Sequence, residues 1–242
     1  MTEVSRRQPM FRLESDMASS VTRWLSNAGL QVRAEFITPW GICDLVAIEF
    51  RPEGVSHRLN LRQFKPVSSI TRAALLLRVP DVETTKSVSM CKLAKDFAPS
   101  LSASVIAAEV ERLVADRFLI RTNRGGLQKL NGWMPLHERL VAVELKLTRV
   151  EEAFQQANRN LGFADESYVA FPMPLAERLA TDSERWSRYF ENGVGLLGVT
   201  RRTCKVLVAA RASKQSRDSA VQLYCVDKFW RSRGRQVVSK DS

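Results

Sequence analysis

The sequence predicts an α/β domain with a mostly helical module inserted into it. Three observations predict this. Helix-period segments and strand-like apolar runs alternate over residues 10–50 and again over 140–210, the pattern of a sheet with helices on its faces. Between them, three short helix-period segments follow one another and end at a glycine turn near Gly125-Gly126. The chain has 242 residues, 45% hydrophobic and 26% charged, enough for one large domain or for a domain and a module.

Each element follows from local pattern. Residues 10–29 read as an amphipathic helix, with Phe11, Ala18, Val21 and Leu25 on one face and Gly29 as its stop. Runs 30–37 and 42–50 read as strands split by the turn Thr38-Pro39-Trp40-Gly41. Residues 51–66 are polar and mixed, and no element is assigned there. Residues 69–78 form a short helix stopped before Pro80. Residues 89–97 form a second, with Met90, Leu93, Ala94 and Phe97 inward. A third follows the cap-like Pro99-Ser100 and Ser102 and runs to Asp116, with Val105, Val110, Leu113 and Val114 inward. Residues 118–122 and 127–130 then make a hairpin across Asn123-Arg124-Gly125-Gly126. Beyond it, 140–147 is a strand, 149–161 a helix, 168–172 a strand and 177–191 helical. Runs 194–200 and 204–210 are further strands. The tail from 211 is basic and ends in a Ser/Lys stretch of disordered composition. The boundaries are 1–66 for the first part of the core, 67–130 for the insert and 131–242 for the second part with its tail.

Charge narrows the partner. There are 37 Lys and Arg against 26 Asp and Glu, a net charge of +11. Such a surplus points to a polyanion, nucleic acid before an anionic membrane surface. No apolar run approaches the roughly 20 residues of a membrane helix, and the N-terminal MTEVSRRQPMFRLESD lacks an apolar signal region. Cys43, Cys91, Cys204 and Cys225 form no CxxC pair, and His57 and His137 lie far apart, which disfavours zinc. Reduced cysteines and a cytoplasmic location are the simplest expectation.

The run Val141-Ala142-Val143-Glu144-Leu145-Lys146-Leu147 is the most informative. In a strand Glu144 and Lys146 share one face and the aliphatic residues the other. An acid and a base on an apolar strand cost desolvation unless something uses them. Asp44 opens the other buried-looking strand in the same way. An Asp on one strand and a Glu-x-Lys on its neighbour are what metal-dependent phosphodiester cleavage needs. Carboxylates hold Mg²⁺ or Mn²⁺, the metal acidifies a bound water, and the ammonium positions that water and offsets charge on the phosphate.

On these residues the sequence resembles the PD-(D/E)XK nucleases, the superfamily of restriction endonucleases and Holliday-junction resolvases. The resemblance runs on through Ala153-Phe154-Gln155-Gln156-Ala157, Ala164-Asp165, the returning strand Tyr168–Pro172 and the late strand Gly193–Leu197, covering about residues 11–50 and 138–210. It implies a restriction endonuclease-like mixed central sheet flanked by helices, and a metal-dependent DNA endonuclease. It implies Asp44 and Glu144 as ligands of Mg²⁺ or Mn²⁺, Glu14 on the first helix as a further carboxylate, and Lys146 orienting the attacking water. It implies Gln156 supporting the site or a phosphate, with Gln155 the competing candidate. Glu14 has a plainer reading as a partner of a nearby Arg, and Asp165 as a cap. Cys43 stands where the family's proline stands, and about a hundred residues separate Asp44 from Glu144 where the family has a short hairpin. The insert accounts for that gap if residues 51–66 and 131–139 complete the hairpin.

Residues 67–130 resemble a winged helix-turn-helix, with 89–116 as the helical hairpin. Residues near 102–112, Arg112 among them, would enter a groove, and Arg121, Arg124 and Lys129 would decorate the wing. The module has ten Lys/Arg against six Asp/Glu, and the tail from Arg201 has eleven against three. The partner implied is double-stranded DNA, and cutting both strands would favour a homodimer. Two other readings stay open: a non-catalytic DNA-binding regulator on a nuclease-like scaffold, and a protein-assembly module.

Overall fold

The computed structural model describes residues 11–212 and 216–238, and of Ser183 and residues 231–238 the backbone alone. The chain runs α1 (Ser15–Asn27), β1 (Gln31–Thr38), β2 (Gly41–Phe50), α2 (Pro52–Asn60), α3 (Ile70–Arg78), α4 (Met90–Phe97), α5 (Ala103–Ala115), β3 (Leu119–Arg121) and β4 (Leu127–Lys129). It continues with β5 (His137–Leu145), α6 (Val150–Asn160), β6 (Glu166–Pro172), α7 (Met173–Thr181), α8 (Ser183–Glu191), β7 (Val194–Val199), β8 (Cys204–Val208) and α9 (Ser219–Val238). Two compact units result, Met1–Glu49 with Arg139–Arg217 and Phe50–Glu138 with Asp218–Ser242. The second is wider than the expected 67–130 insert: it begins at Phe50, runs to Glu138 and includes the segment from Asp218.

The first unit is built on a mixed six-stranded sheet in the order β1-β2-β5-β6-β7-β8. The central pairs β5/β6 and β6/β7 are parallel, whereas β1/β2 and β7/β8 are antiparallel. Alternation sorts its side chains. Val141, Val143, Leu145, Tyr168, Ala170, Leu197 and Val199 pack with Met17, Val21 and Leu25 of α1. Val169, Phe171, Val194 and Leu196 pack on the other face with Ala153, Phe154 and Ala157 of α6 and with residues of α7 and α8. The central strands β6 and β7 and the second half of β5 are therefore buried on both faces, as a sheet covered by helices requires. Glu144 falls on the α6 face.

One irregularity bears on the site. The β1/β2 register passes from Ala34↔Leu45 to Phe36↔Cys43 and omits Glu35 with Asp44. Glu35 has φ 48, a left-handed conformation that non-glycine residues seldom adopt. The alternation of β2 breaks here. Leu45 belongs to the cluster beneath α1, while Cys43 receives a hydrogen bond from Asn160 of α6 on the opposite face.

In the second unit α3, α4, α5 and the β3/β4 hairpin enclose one core of Ala73, Leu76, Leu93, Ile106, Val110, Leu113, Phe118 and Leu127, to which Leu223 of α9 contributes. The helix starts are set locally. The hydroxyls of Ser69, Ser89 and Ser102 accept from the backbone N–H of Arg72, Lys92 and Val105. Ser102 also fixes the phase of α5. Ile106, Val110 and Leu113 turn inward, and Val105, expected inward, is exposed. Residues 51–66, left without an element by the sequence, contain α2. Residues 177–191 hold two helices meeting at Asp182. Part of the basic tail is the helix α9; Lys214 and Lys240 lie outside the described residues.

Candidate active site

The residues expected to act together come from distant parts of the sequence, and the sheet brings most of them to one end. β2 and β5 are neighbours. Where they part, Asp44 Oδ2 accepts the backbone N–H of Leu145 at 2.7 Å. Lys146 follows β5 directly and its own N–H donates to the carbonyl of Ala170 at 3.1 Å, so its backbone is fixed on the β6 side. Glu14 stands at the head of α1, and its Oε1 accepts the N–H of Leu147 at 3.4 Å.

The Lys146 ammonium sits between these carboxylates, 3.6 Å from Glu14 Oε2 and 3.7 Å from Asp44 Oδ2. Lys146 is 5% exposed. A buried ammonium needs opposite charge close by, and here it has two. Glu14 also meets Arg149 at 3.6 Å, so its plainer reading as an arginine's partner and its place beside Lys146 both hold.

Glu144 lies on the α6 face of β5, 3% exposed. Burial pushes its carboxyl up to about 7, and the Asp44 charge adds to the rise. The hydrogen bond from Asn160 Nδ2, 2.7 Å long, the neighbouring Cys43 and the Lys146 charge hold it back. Cys43 donates to the carbonyl of Leu45 at 3.3 Å. Its burial, with Glu144 beside it, raises the thiol well above the usual range, and a protonated thiol is a poor nucleophile.

Gln156 of α6 shares with Glu144 a small cleft of about 110 Å³, lined also by Thr38, Trp40, Gly41, Ile42, Arg159 and Asn160. Gln156 Nε2 donates to Glu152 at 3.4 Å, and its Oε1 is buried without a partner. The competing Gln155 is exposed and bonded to Glu151. Asp165 accepts the Leu140 N–H at 2.8 Å and pairs with Arg217 at 2.6 Å, a structural role. Sequence reasoning missed Asn160, Arg149 and the cleft. Asn160 was findable: it lies four residues after Gln156, on the same helix face. Trp40 reads as part of a turn, and no local signal links it to Glu144.

Asp44 and Glu144 are two hard oxygen donors whose charges oppose each other. Their donor set fits a divalent cation held by one or two carboxylates and otherwise by water, the habit of Mg²⁺. Among the described residues no group of three or more His, Cys, Asp or Glu is arranged to hold a metal.

The residues expected to meet nucleic acid lie apart from this site in sequence, in the second unit. Arg112 pairs with Glu109 at 2.8 Å and Arg121 with Glu111, so acids of the same helix partly neutralise both. Arg124 is exposed at the hairpin turn. Lys129 joins the hairpin to Pro80 through its backbone N–H. Among the described residues no helix is long and apolar enough to cross a membrane.

No protein-family model, curated protein or solved structure matches this chain.

Proposed function

We propose that the chain is a metal-dependent DNA endonuclease of PD-(D/E)XK type. One observation carries the reading: Lys146, nearly buried, lies within 4 Å of carboxylates contributed from positions 14 and 44, with Glu144 two residues away along β5. Side chains so far apart in sequence and so costly to bury together favour a chemical use over a solvated strand face.

In this reading Asp44 and Glu144 hold Mg²⁺ or Mn²⁺, which when bound supplies an acidified water and charge for the phosphate. The chain's own residues do the rest. Asn160 holds the Glu144 carboxylate in one orientation. Glu14 and Asp44 hold the Lys146 ammonium in place, so that it orients the attacking water and meets charge developing on the phosphate. Gln156 supports the cleft wall. The reaction joins a water oxygen to phosphorus and breaks one phosphate ester bond. The three-helix-and-hairpin unit works as a winged helix that grips duplex DNA, with Arg124 and Lys129 on the wing and Arg112 and Arg121 available once their acidic partners yield. A second reading, a DNA-binding regulator on the same scaffold, draws on the two cations that already neutralise Glu14.

The test is incubation with supercoiled plasmid and Mg²⁺ or Mn²⁺. Nicking or linearisation is expected. It should vanish with EDTA and fall by at least about a hundredfold in Lys146→Ala, the scale on which a lost transition-state charge acts. Binding without cutting under either metal would move the assignment to the regulator.

A further inference from the structure

We propose that the cleft beside Glu144 receives one unpaired nucleobase, stacked on Trp40. This rests on the nuclease reading and narrows its substrate to DNA with an unpaired nucleotide beside the cleaved phosphate.

Four observations lead there. First, the tip of the β1–β2 hairpin is apolar and open. Trp40 is 46% exposed, and Ile37 and Ile42, cross-strand partners in the register, are 61% and 64% exposed. Second, the indole is held in place. The Thr38 hydroxyl donates to the Gly41 carbonyl at 2.9 Å and accepts the Trp40 N–H at 3.1 Å, which fixes the turn. The ring lies over Gly162, where an added Cβ would come within 2.8 Å of it, and tilts against Phe163 with centroids 6.1 Å apart. A rigid, half-open aromatic ring is a stacking platform. Third, Gln156 lines the cleft, and its Oε1, covered in this arrangement, has no hydrogen-bond partner. The bond from Nε2 to Glu152 sets the amide this way round, so the vacant position is an acceptor and calls for an N–H donor. Fourth, Arg159 lines the same cleft and brings a cation to the phosphate of whatever enters.

The chemistry that answers all four is a flat ring with an N–H edge and an attached anion. An aliphatic or aromatic peptide side chain would cover Trp40 and leave Gln156 Oε1 unsatisfied. The cleft's 110 Å³ lies below the roughly 300–1,000 Å³ of pockets that enclose a whole small-molecule ligand, and suits one ring. A base inside a duplex has both faces stacked and its pairing edge occupied, so the base must be unpaired.

Fluorescence anisotropy on the full chain tests this, with Ca²⁺ in place of Mg²⁺ as a hard oxygen-bound cation. Three labelled DNAs of equal length are compared: a single strand, a duplex carrying an unpaired flap, and a fully paired duplex. Trp40→Ala should weaken binding to the first two by about 5- to 100-fold, the range of a lost base–aromatic stack, and leave the paired duplex unchanged. Trp40→Phe should restore most of the loss. Gly162→Ala, which pushes a methyl into the indole, should reproduce part of it with Trp40 retained, and unchanged thermal unfolding would exclude misfolding. Equal loss on all three DNAs, or none, overturns the base site. So does self-association abolished by Trp40→Ala with DNA affinity unmoved. Plasmid nicking with Trp40→Ala indifferent on every DNA overturns the base site and spares the nuclease. Trp40-dependent binding with no nicking under either metal does the reverse.

Discussion

Glu144 titrates well above an ordinary carboxylate, and its surroundings explain why. Burial disfavours the charged form, and the Asp44 charge disfavours it further. Unfolded, the group titrates near 4.5, and folded at about 7. Between those values the folded chain keeps a proton the unfolded chain has lost. The stability this residue contributes is therefore complete below the mid-4s and is lost as pH climbs through 7, about 3 kcal/mol in all at roughly 1.36 kcal/mol per unit. Glu144→Gln keeps the shape without the titration. Urea unfolding at pH 5 and pH 8 should show the parent chain losing about 2–3 kcal/mol more than the variant across that interval, part of the whole being lost already by pH 5. Parallel curves would mean that Glu144 is solvated as an ordinary carboxylate. The place of Glu144 on a buried strand was legible from alternation, and its grouping with Asp44 and Lys146 from the resemblance; β5 ends at Leu145, so alternation does not extend to Lys146. The bond from Asn160 to Glu144 was not legible, because it depends on how α6 lies across the sheet.

At the scale of elements, what was legible is what is local. Ser69, Ser89 and Ser102 announce their helices because the capping hydroxyl acts on a backbone N–H three residues on. Ser102→Ala should cost about 1 kcal/mol and Ser102→Asp should recover most of it, read as the shift of the urea midpoint. No difference between Ala and Asp would mean that α5 starts without its cap. What was illegible is set from a distance. α2 carries a glycine and a buried arginine, Gly54 and Arg58, with little apolar period, so its stability comes from what surrounds it. The break at Asp182 interrupts a pattern that reads as one helix. The face change along β2 follows from the backbone of Glu35 on the adjacent strand, a residue with nothing in its identity to mark it.

At the scale of the whole molecule, the boundaries depend on contacts between segments far apart in sequence, which is why the second unit is wider than its pattern. Its closure centres on Arg58, fully buried on α2. The guanidinium pairs with Asp227 of α9, 169 residues away. It also donates to the carbonyls of Gln63 and Lys65 at 3.2 and 2.9 Å, and lies 5.1 and 4.5 Å from the ring centroids of Phe118 and Trp230. Asp227 in turn accepts the backbone N–H of Val67. Each of the three guanidinium nitrogens donates one hydrogen bond, and a buried charge so held makes the pair fragile to single changes. Removing one partner leaves a buried charge uncompensated, whereas replacing both by apolar groups leaves none. Asp227→Ala should therefore lower the unfolding free energy by about 3–5 kcal/mol, and Arg58→Met with Asp227→Leu by much less than the sum of the single changes. Urea unfolding of the full chain, followed by circular dichroism, measures both. A single variant costing under about 1 kcal/mol would mean that water reaches the pair. α9 would then be an appendage to the unit and not part of its core.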